Sequence, residues 1–309
     1  MSNFNWTIDV GAESSWPTDP MPPSMLLSEF VEAYILERPM CSIHACWMRR
    51  VVQHFDDFAG QPVRLTDLAD LLVNRWLVSL ESGRRKLRTV KGYRTTLLSL
   101  WRAAWEQELV AQPPRRVRRV KLPETIVEAW TPVEVAKLAD VCDQAKGWFA
   151  DSGIKRASFW RMFVFITWDT ALRLGDVMAL RRDRIADDGS FVVVQHKTGW
   201  QIQCRLRPET LALVDSTYPP ARELILPWGE RRECFHQHFR QLVKWAGIRP
   251  GTSKWLRRAS ATAVEKHYPG AAMAHLGHKT PGLAYAHYVD RLQVGHNKPM
   301  PPPLPGLGV

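Results

Sequence analysis

The stretch QPPRRVRRVKLPE, Gln112 to Glu124, decides how the chain is divided. Prolines near both ends forbid a continuous helix, because proline lacks the amide hydrogen and its ring clashes with the preceding turn. Between them stand Arg115, Arg116, Arg118, Arg119 and Lys121. A basic segment that cannot be helical reads as an extended connection between two folded units. On both sides of it apolar residues recur at helical spacing, so the fold class expected is mainly α with two domains.

On the N-terminal side, CWMRRVVQHFDDFAG carries Trp47, Val51, Phe55 and Phe58 on one helical face and ends at Gly60. LTDLADLLVNRWLVSLESG gives a second helix stopped at Gly83. In TVKGYRTTLLSLWRAAWEQELV a third stripe runs through Val90, Tyr93, Leu97, Leu100, Trp101 and Ala104. Residues 24–111 are therefore expected to form a small helical bundle, preceded by a flexible polar arm over 1–23 that contains Pro17, Pro20, Pro22 and Pro23. A basic linker covers 112–129.

The C-terminal half opens on TPVE, with Thr131 as N-cap, Pro132 in the first turn and Glu134 closing a capping box. Helical patterns follow to Leu180, where the period changes. RIADDGSFVVVQHKTGWQIQCRLRP holds a β-rich FVVV and the alternating Ile202, Cys204 and Leu206, with Thr198-Gly199 between them as a hairpin turn. Helices fill 209–290, which gives this domain a mixed character: mainly α with a small antiparallel β-sheet. Residues 291–309 read as a Pro-rich tail, of which NKPMPPPLPGLGV cannot form a docked helix.

The formal net charge is +11, and its position matters more than its size. From Arg84 to Lys121 there are twelve Lys or Arg against two Glu, a local balance of +10. Such a block is the footprint of a nucleic-acid backbone, whose bound counterions are released when phosphates are neutralised. A solvated face or an anionic membrane surface are the alternatives. The longest apolar run, MFVFITW, is too short to span a bilayer, and the N-terminus has no basic-then-apolar signal pattern. The five cysteines are scattered and never spaced C-x-x-C, which fits reduced thiols in a cytoplasm better than a zinc site or a disulfide framework.

Four elements in the C-terminal half, TALRLGDVMAL, HKTGW, KWLRRASAT and LGHKTPGLAYAHY, follow one another in the order and with the residue types of the tyrosine recombinase (phage integrase-like) family. The resemblance spans residues 130–290 and implies a catalytic domain there. It also implies that the preceding bundle is a core-binding (SAM-like) DNA-binding domain. Carried over residue by residue, it assigns catalytic roles to Arg173, Lys197, Arg257, His278 and Tyr288. Arg258 falls one position beyond the matching arginine. Tyr288 lies ten residues after His278 on a short helix begun by Pro281-Gly282, whereas Tyr285, at seven, is expected to pack.

Two positions depart from the family pattern. Lys254 stands where His is usual; it keeps a donor and a charge, but an ordinary lysine pKa near 10.4 makes a poor base at neutral pH. Ala171 stands where Gly is usual, and because alanine suits a helix no cost is expected there.

The implied chemistry is cleavage and rejoining of DNA through a 3′-phosphotyrosyl bond, with no metal, ATP or other cofactor. Permanently charged guanidinium groups suit the charge that develops on the non-bridging phosphate oxygens. Arg173 and Arg257 take that part, Lys254 and His278 add donors, Tyr288 attacks, and Lys197 protonates the leaving 5′-oxygen. No phosphate-cradling G-x-x-x-x-G-K loop and no cluster with metal-ligand spacing occurs. The expected partner is double-stranded DNA, held along its phosphates by Arg84, Arg85, Lys86, Arg88, Lys91, Arg94, Arg115, Arg116, Arg118, Arg119 and Lys121. A homotetramer on two paired sites, belonging to an integrase of a mobile element, is the leading expectation. A non-cutting DNA-binding accessory protein on the same fold and a DNA-relaxing type IB topoisomerase are the alternatives.

Overall fold

The computed structural model describes residues 25–124, 126–149, 153–217, 223–229 and 232–294, so the expected arm over 1–23 and most of the Pro-rich tail lie outside the described residues. The chain divides between Glu124 and Thr125 into two compact units.

The first unit is helical. It comprises α1 (Leu27–Glu37), α2 (Ser42–Ala59), a short 3-10 turn (Leu65–Asp67), α3 (Asp70–Ser82) and α4 (Leu87–Glu106). Each helix buries one face: Met48, Val51, Val52 and Phe55 from α2, Val73, Trp76, Leu77 and Leu80 from α3, and the Val90–Ala104 stripe from α4. Trp76 lies at their centre, stacked on Tyr93 at 5.8 Å and edge-on to Phe55 at 5.0 Å. Gly60 ends α2 in the left-handed conformation (φ 74°), which a residue without Cβ adopts at no steric cost.

The basic stretch 112–124 contains neither helix nor strand, but it does not hang loose. The amides of Arg115 and Arg116 donate to the Asp70 carboxylate at 3.2 and 2.8 Å, and that of Arg118 donates to Asn74 at 2.8 Å. Arg94 turns its guanidinium inward to the carbonyls of Val117 and Arg118. Residues 115–120 are thus strapped to α3 and α4, with Val120 buried beneath. The side chains of Arg115, Arg116, Arg118, Arg119 and Lys121 remain exposed.

The second unit is organised on α6 (Arg156–Thr170), whose buried residues run around most of its circumference, as in a core helix. Before it come α5 (Pro132–Asp140), carrying the expected Thr131–Glu134 capping box, and a two-residue ladder, β1 (Trp148–Phe149) with β2 (Ile154–Lys155). After it come α7 (Leu174–Met178) and the antiparallel hairpin β3 (Ser190–Val194) and β4 (Gln201–Arg205). Then follow α8 (Pro208–Thr217), α9 (Arg232–Trp245), α10 (Ser253–His267), α11 (Ala272–Leu276), α12 (Pro281–His287) and α13 (Arg291–Val294). Phe159, Trp160 and Phe163 of α6 meet Trp228, Phe235 and Phe239 with ring centroids 5.0–6.0 Å apart.

Two expectations need correction. Ala171 is not helical: it ends α6 in the left-handed conformation at φ 47°, fully buried. There a Cβ crowds the following carbonyl at a cost of about 1–2 kcal/mol, so glycine, not alanine, is the unstrained residue. Tyr288 is not on α12 either. It follows the last helical residue with φ −132° and ψ −29°, and this break in the helix turns it away from the side taken by Tyr285.

Replacing Trp160 by alanine removes the ring at the centre of the second unit and should destabilise it by about 3–5 kcal/mol. Denaturant titration checks this; a loss under 1 kcal/mol would contradict the packing described.

Candidate active site

The site begins with a buried arginine. Arg257, on the first turns of α10, is only 3% exposed. It donates to the carbonyl of Ala171 and, at 3.2 Å, to that of Leu276, while its Nε meets no acceptor. Burial, with the neighbouring charge of Arg173, lowers its pKa to about 10, against the attraction of Tyr288 and Asp176, which leaves it charged at neutral pH. The left-handed turn at Ala171 presents the carbonyl that Arg257 needs. Its strain therefore sits where the site is built.

Arg173 caps α7 and is half-buried; its guanidinium donates to the side-chain oxygen of Gln195 at 2.8 Å. Gln195 is wholly buried, accepts from Thr198 at 2.8 Å as well, and donates to the Leu276 carbonyl at 3.3 Å. It begins the loop 195–200 that joins β3 to β4 and carries Lys197. The loop is longer than a two-residue turn. Gly199 adopts φ 66° within it, and the amides of Thr198 and Gly199 fold back on the Gln195 carbonyl.

Opposite the hairpin, Gly277 ends α11 at φ 62°, where an added Cβ would stand 2.3 Å from the Ile202 side chain and 2.8 Å from the side-chain Nε2 of Gln195. Glycine here answers both the backbone angle and the close approach of the hairpin. His278 follows directly. Its ring meets that of Tyr288 edge-on at 5.0 Å, and its Nδ1 is buried without a partner. Burial and the charges of Arg257 and Arg173 lower its pKa to about 4, so the imidazole is neutral at physiological pH.

Tyr288 stands in the middle. Arg257 lies 4.9 Å from its ring centroid and Lys254 lies 5.3 Å from it. Burial raises the phenol pKa, but Arg257, Lys254, Arg173 and Lys197 together outweigh burial and hold it below the ordinary 10. Tyr288, Arg173 and Lys197 line two openings at once. One, of about 430 Å³, also takes in Lys254, Arg257, His236, Thr252 and Ser253. The other, of about 410 Å³, takes in His278, Lys279, Trp200 and His287. Four cations around one phenol, with a neutral imidazole beside them, form a seat whose charge suits a tetrahedral anion.

Tyr285 is directed elsewhere. Its hydroxyl donates to Glu265, a fully buried carboxylate that also accepts from the amides of Gly270 (2.7 Å) and Ala272 (3.0 Å). That hydrogen bond, with burial, pushes the Tyr285 pKa up to about 12. Arg258, beside Arg257, also faces away and donates to the carbonyls of His287 and Glu128, both at 3.1 Å. All six residues read as catalytic from the sequence thus meet in the second unit. Of those read as DNA-binding, Arg94 has its guanidinium turned to the backbone carbonyls of Val117 and Arg118.

Sequence reasoning missed four contributors. Gln195 and His236 carried no motif signal. Asp176 is buried on α7 and accepts from the His196 amide at 3.0 Å; it could have been noticed three residues after Arg173. His275 bonds Ser260 at 2.7 Å, and Ser260 gives its own hydrogen to the Trp168 carbonyl at 2.6 Å. His275 must therefore carry its proton on Nε2. Burial, then the Arg257 charge, lowers its pKa to about 4.

No protein-family model matches the chain. Among curated proteins it is 25% identical over 193 residues to a tyrosine recombinase XerC of Pseudomonas aeruginosa, and 25% identical over 177 residues to the integrase of Mycobacterium phage L5. These matches take in 58% and 57% of this chain but only 42% and 43% of the relatives, so the chain spans less than half the length of the curated relatives it matches. Among solved structures it is similar to a lambda integrase (residues 75–356) dimer bound to a COC′ core site. There the TM-score is 0.70 with 19% identity, over 90% of this chain and 99% of that one. It is also similar to the XerH recombinase on a palindromic difH substrate, with TM-score 0.66 and 16% identity over 88% and 82% of the two chains. The fold is that of the tyrosine recombinases, and the resemblance read from the four motifs is borne out by these relatives.

The two depressed histidines give a pH prediction. Their folded pKa values lie below the unfolded value near 6.5, so the stability they support is present above about pH 6.5 and is lost as pH falls toward 4. His275, the more buried, should account for on the order of 2 kcal/mol of that loss once partial exposure screens it. Urea unfolding between pH 7 and 4 should have a shallower slope in His275→Gln than in the wild type; parallel curves would contradict this.

Proposed function

We propose that this chain is a site-specific tyrosine recombinase that cuts and rejoins duplex DNA, with Tyr288 as nucleophile. The observation that carries the proposal is that Arg173, Lys197, Lys254 and Arg257 line one cavity with Tyr288, and that their charges lower the phenol pKa despite burial. A permanent surplus of positive charge in a half-closed cavity fits a phosphodiester as its missing anion.

In the proposed reaction Arg173 and Arg257 hold the two non-bridging oxygens and Lys254 adds a third donor. Tyr288 loses its proton to solvent through the cavity as its oxygen attacks phosphorus. The P–O5′ bond breaks, and the departing 5′-oxygen takes a proton from the Lys197 ammonium. The product is a 3′-phosphotyrosyl bond with a free 5′-hydroxyl. Attack by the 5′-hydroxyl of a second strand reverses every step and returns the phenol, so the phosphodiester energy is conserved and no cofactor is consumed. His278, neutral beside the ring, acts as a hydrogen-bonding group and not as a charge.

DNA is the proposed partner, in keeping with the exposed basic side chains of residues 84–91 and 115–121. One similar structure is a lambda integrase tetramer bound to a Holliday junction, and a tetramer on paired sites is proposed here as well. A cytoplasmic location and a role in moving a mobile element go with this reading. Among the described residues no helix is long and apolar enough to cross a membrane.

The test is covalent trapping. The protein is incubated with fragmented genomic DNA of its host and quenched with SDS, and DNA-linked peptides are mapped by mass spectrometry. Wild type and Tyr285→Phe should yield an adduct on Tyr288, and Tyr288→Phe should yield none. An adduct on Tyr285, or tight sequence-selective binding without any adduct, would contradict the proposal. Arg173→Ala should slow adduct formation by about 10²–10³-fold, the usual cost of one charge-stabilising donor. Neutralising Arg115, Arg116, Arg118 and Arg119 together should weaken binding to all DNA and flatten its salt dependence. An unchanged salt slope would remove that segment from the DNA contact.

A further inference from the structure

Lys197 rides on the loop 195–200, and the base of that loop is well fixed. Gln195 is buried, its amide donates to the Trp200 carbonyl at 2.8 Å, and its side chain ties Arg173 and Thr198 together. The tip is different: Lys197, Thr198, Gly199 and Trp200 are all exposed, and Trp200 shows 41% of its surface to solvent. Across the cavity from this tip runs the segment that carries His278 and Tyr288. One contact joins the two at their solvent edge: the Lys279 ammonium sits 3.7 Å from the centroid of the Trp200 ring. That is well inside the range in which a cation is held by the face of an indole, the strongest of the aromatic partners.

Trp200, Lys279, Lys197, His278 and Tyr288 all line the same cavity of about 410 Å³. We propose that the Lys279–Trp200 pair is a latch that closes the hairpin loop onto the tyrosine segment and thereby sets the reach of Lys197 to the leaving 5′-oxygen. The inference rests on the recombinase reading, in which Lys197 is the proton donor. Trp200 and Lys279 touch neither the phosphate nor the leaving group; they are positioning residues that act through Lys197. The loop is built for such control. Its backbone is closed on itself by the bonds to Gln195, with Gly199 at φ 66° completing the turn, so the tip is one hydrogen-bonded piece. Without the latch the tip keeps its internal bonds but loses its tie to the other wall of the cavity.

Two measurements decide it. Hydrogen exchange followed by mass spectrometry is run on the full-length wild type, Trp200→Leu, Lys279→Gln and Lys279→Arg, reading peptides across 194–201. Trp200→Leu and Lys279→Gln should exchange at least threefold faster there with α10 unchanged, and Lys279→Arg, which restores the cation, should match the wild type. Equal exchange in all four proteins overturns the latch. The same proteins are then tested on the DNA site recovered by trapping, once with the normal 5′-oxygen leaving group and once with sulfur at that bridging position, whose departure needs no proton donor. Trp200→Leu and Lys279→Gln should slow cleavage of the oxygen substrate at least threefold at unchanged DNA affinity, and should leave the sulfur substrate unaffected. Equal slowing of both substrates would make the pair a merely structural contact and overturn the proposal. If the wild type cleaves neither substrate, the recombinase reading falls, while the exchange data still decide whether the latch exists.

Discussion

The arrangement of the second unit depends on one buried charge. A guanidinium that is 3% exposed is tolerable only if its donors are met, because an unpaired charge in a low-dielectric interior costs several kcal/mol. Arg257 meets this requirement in part: Nη1 and Nη2 donate to backbone carbonyls, not to a carboxylate, and Nε is left without an acceptor. That choice leaves its charge uncancelled and available to an anion or a phenolate. It also dictates the surrounding backbone. The chain must end α6 in a left-handed turn at Ala171 to present one carbonyl, and must end α11 in another at Gly277 with the Leu276 carbonyl aimed inward. The two helix ends and the arginine form one unit, and Arg173, Gln195 and His278 are seated on it.

Delivery of the tyrosine is a separate problem, solved by small side chains and buried acids. Ala171, Ala261, Ala272, Leu276, Ala284 and Val289 form a compact cluster beneath the site, and its alanines let α10, α11 and α12 approach closely. On one side of Tyr288, Glu265 collects two amides and the Tyr285 hydroxyl. On the other, the buried Asp290 accepts from the amides of Ala129 and Leu292, both at 3.1 Å, while its own amide donates to Thr262. Tyr288 is thus suspended between two anchored acids, outside the helix that precedes it. The second tyrosine is part of that anchoring, which is why two phenols three residues apart have opposite pKa shifts.

Much of this was legible in the sequence. The helical stripes, the capping box at Thr131 and the hairpin all rest on local periodicity or on one or two side chains, and local signals survive into the fold. The six residues read as catalytic could be named because four motifs occur in order, although each alone is an arginine, a lysine or a histidine of no distinction. What could not be read depends on distant partners. Nothing in TALRL reveals that Ala171 is left-handed, since the demand comes from Arg257, 86 residues further on. Gln195 looks like the end of a strand until Arg173 and Leu276 close around it. The basic run at 112–124 reads as a linker because proline and charge are local facts, whereas its attachment to Asp70 and Asn74 is not.

The surrounding cations, Arg257 foremost among them, overcome burial and hold the Tyr288 phenol below its ordinary pKa. The most direct measurement is a spectrophotometric pH titration of phenolate absorbance in the wild type minus that of Tyr288→Phe, which isolates this one group. The difference curve should have its midpoint below pH 10, moving upward when Arg257 is replaced by glutamine. A midpoint at or above 10, or one indifferent to Arg257, would mean that burial prevails over the surrounding cations.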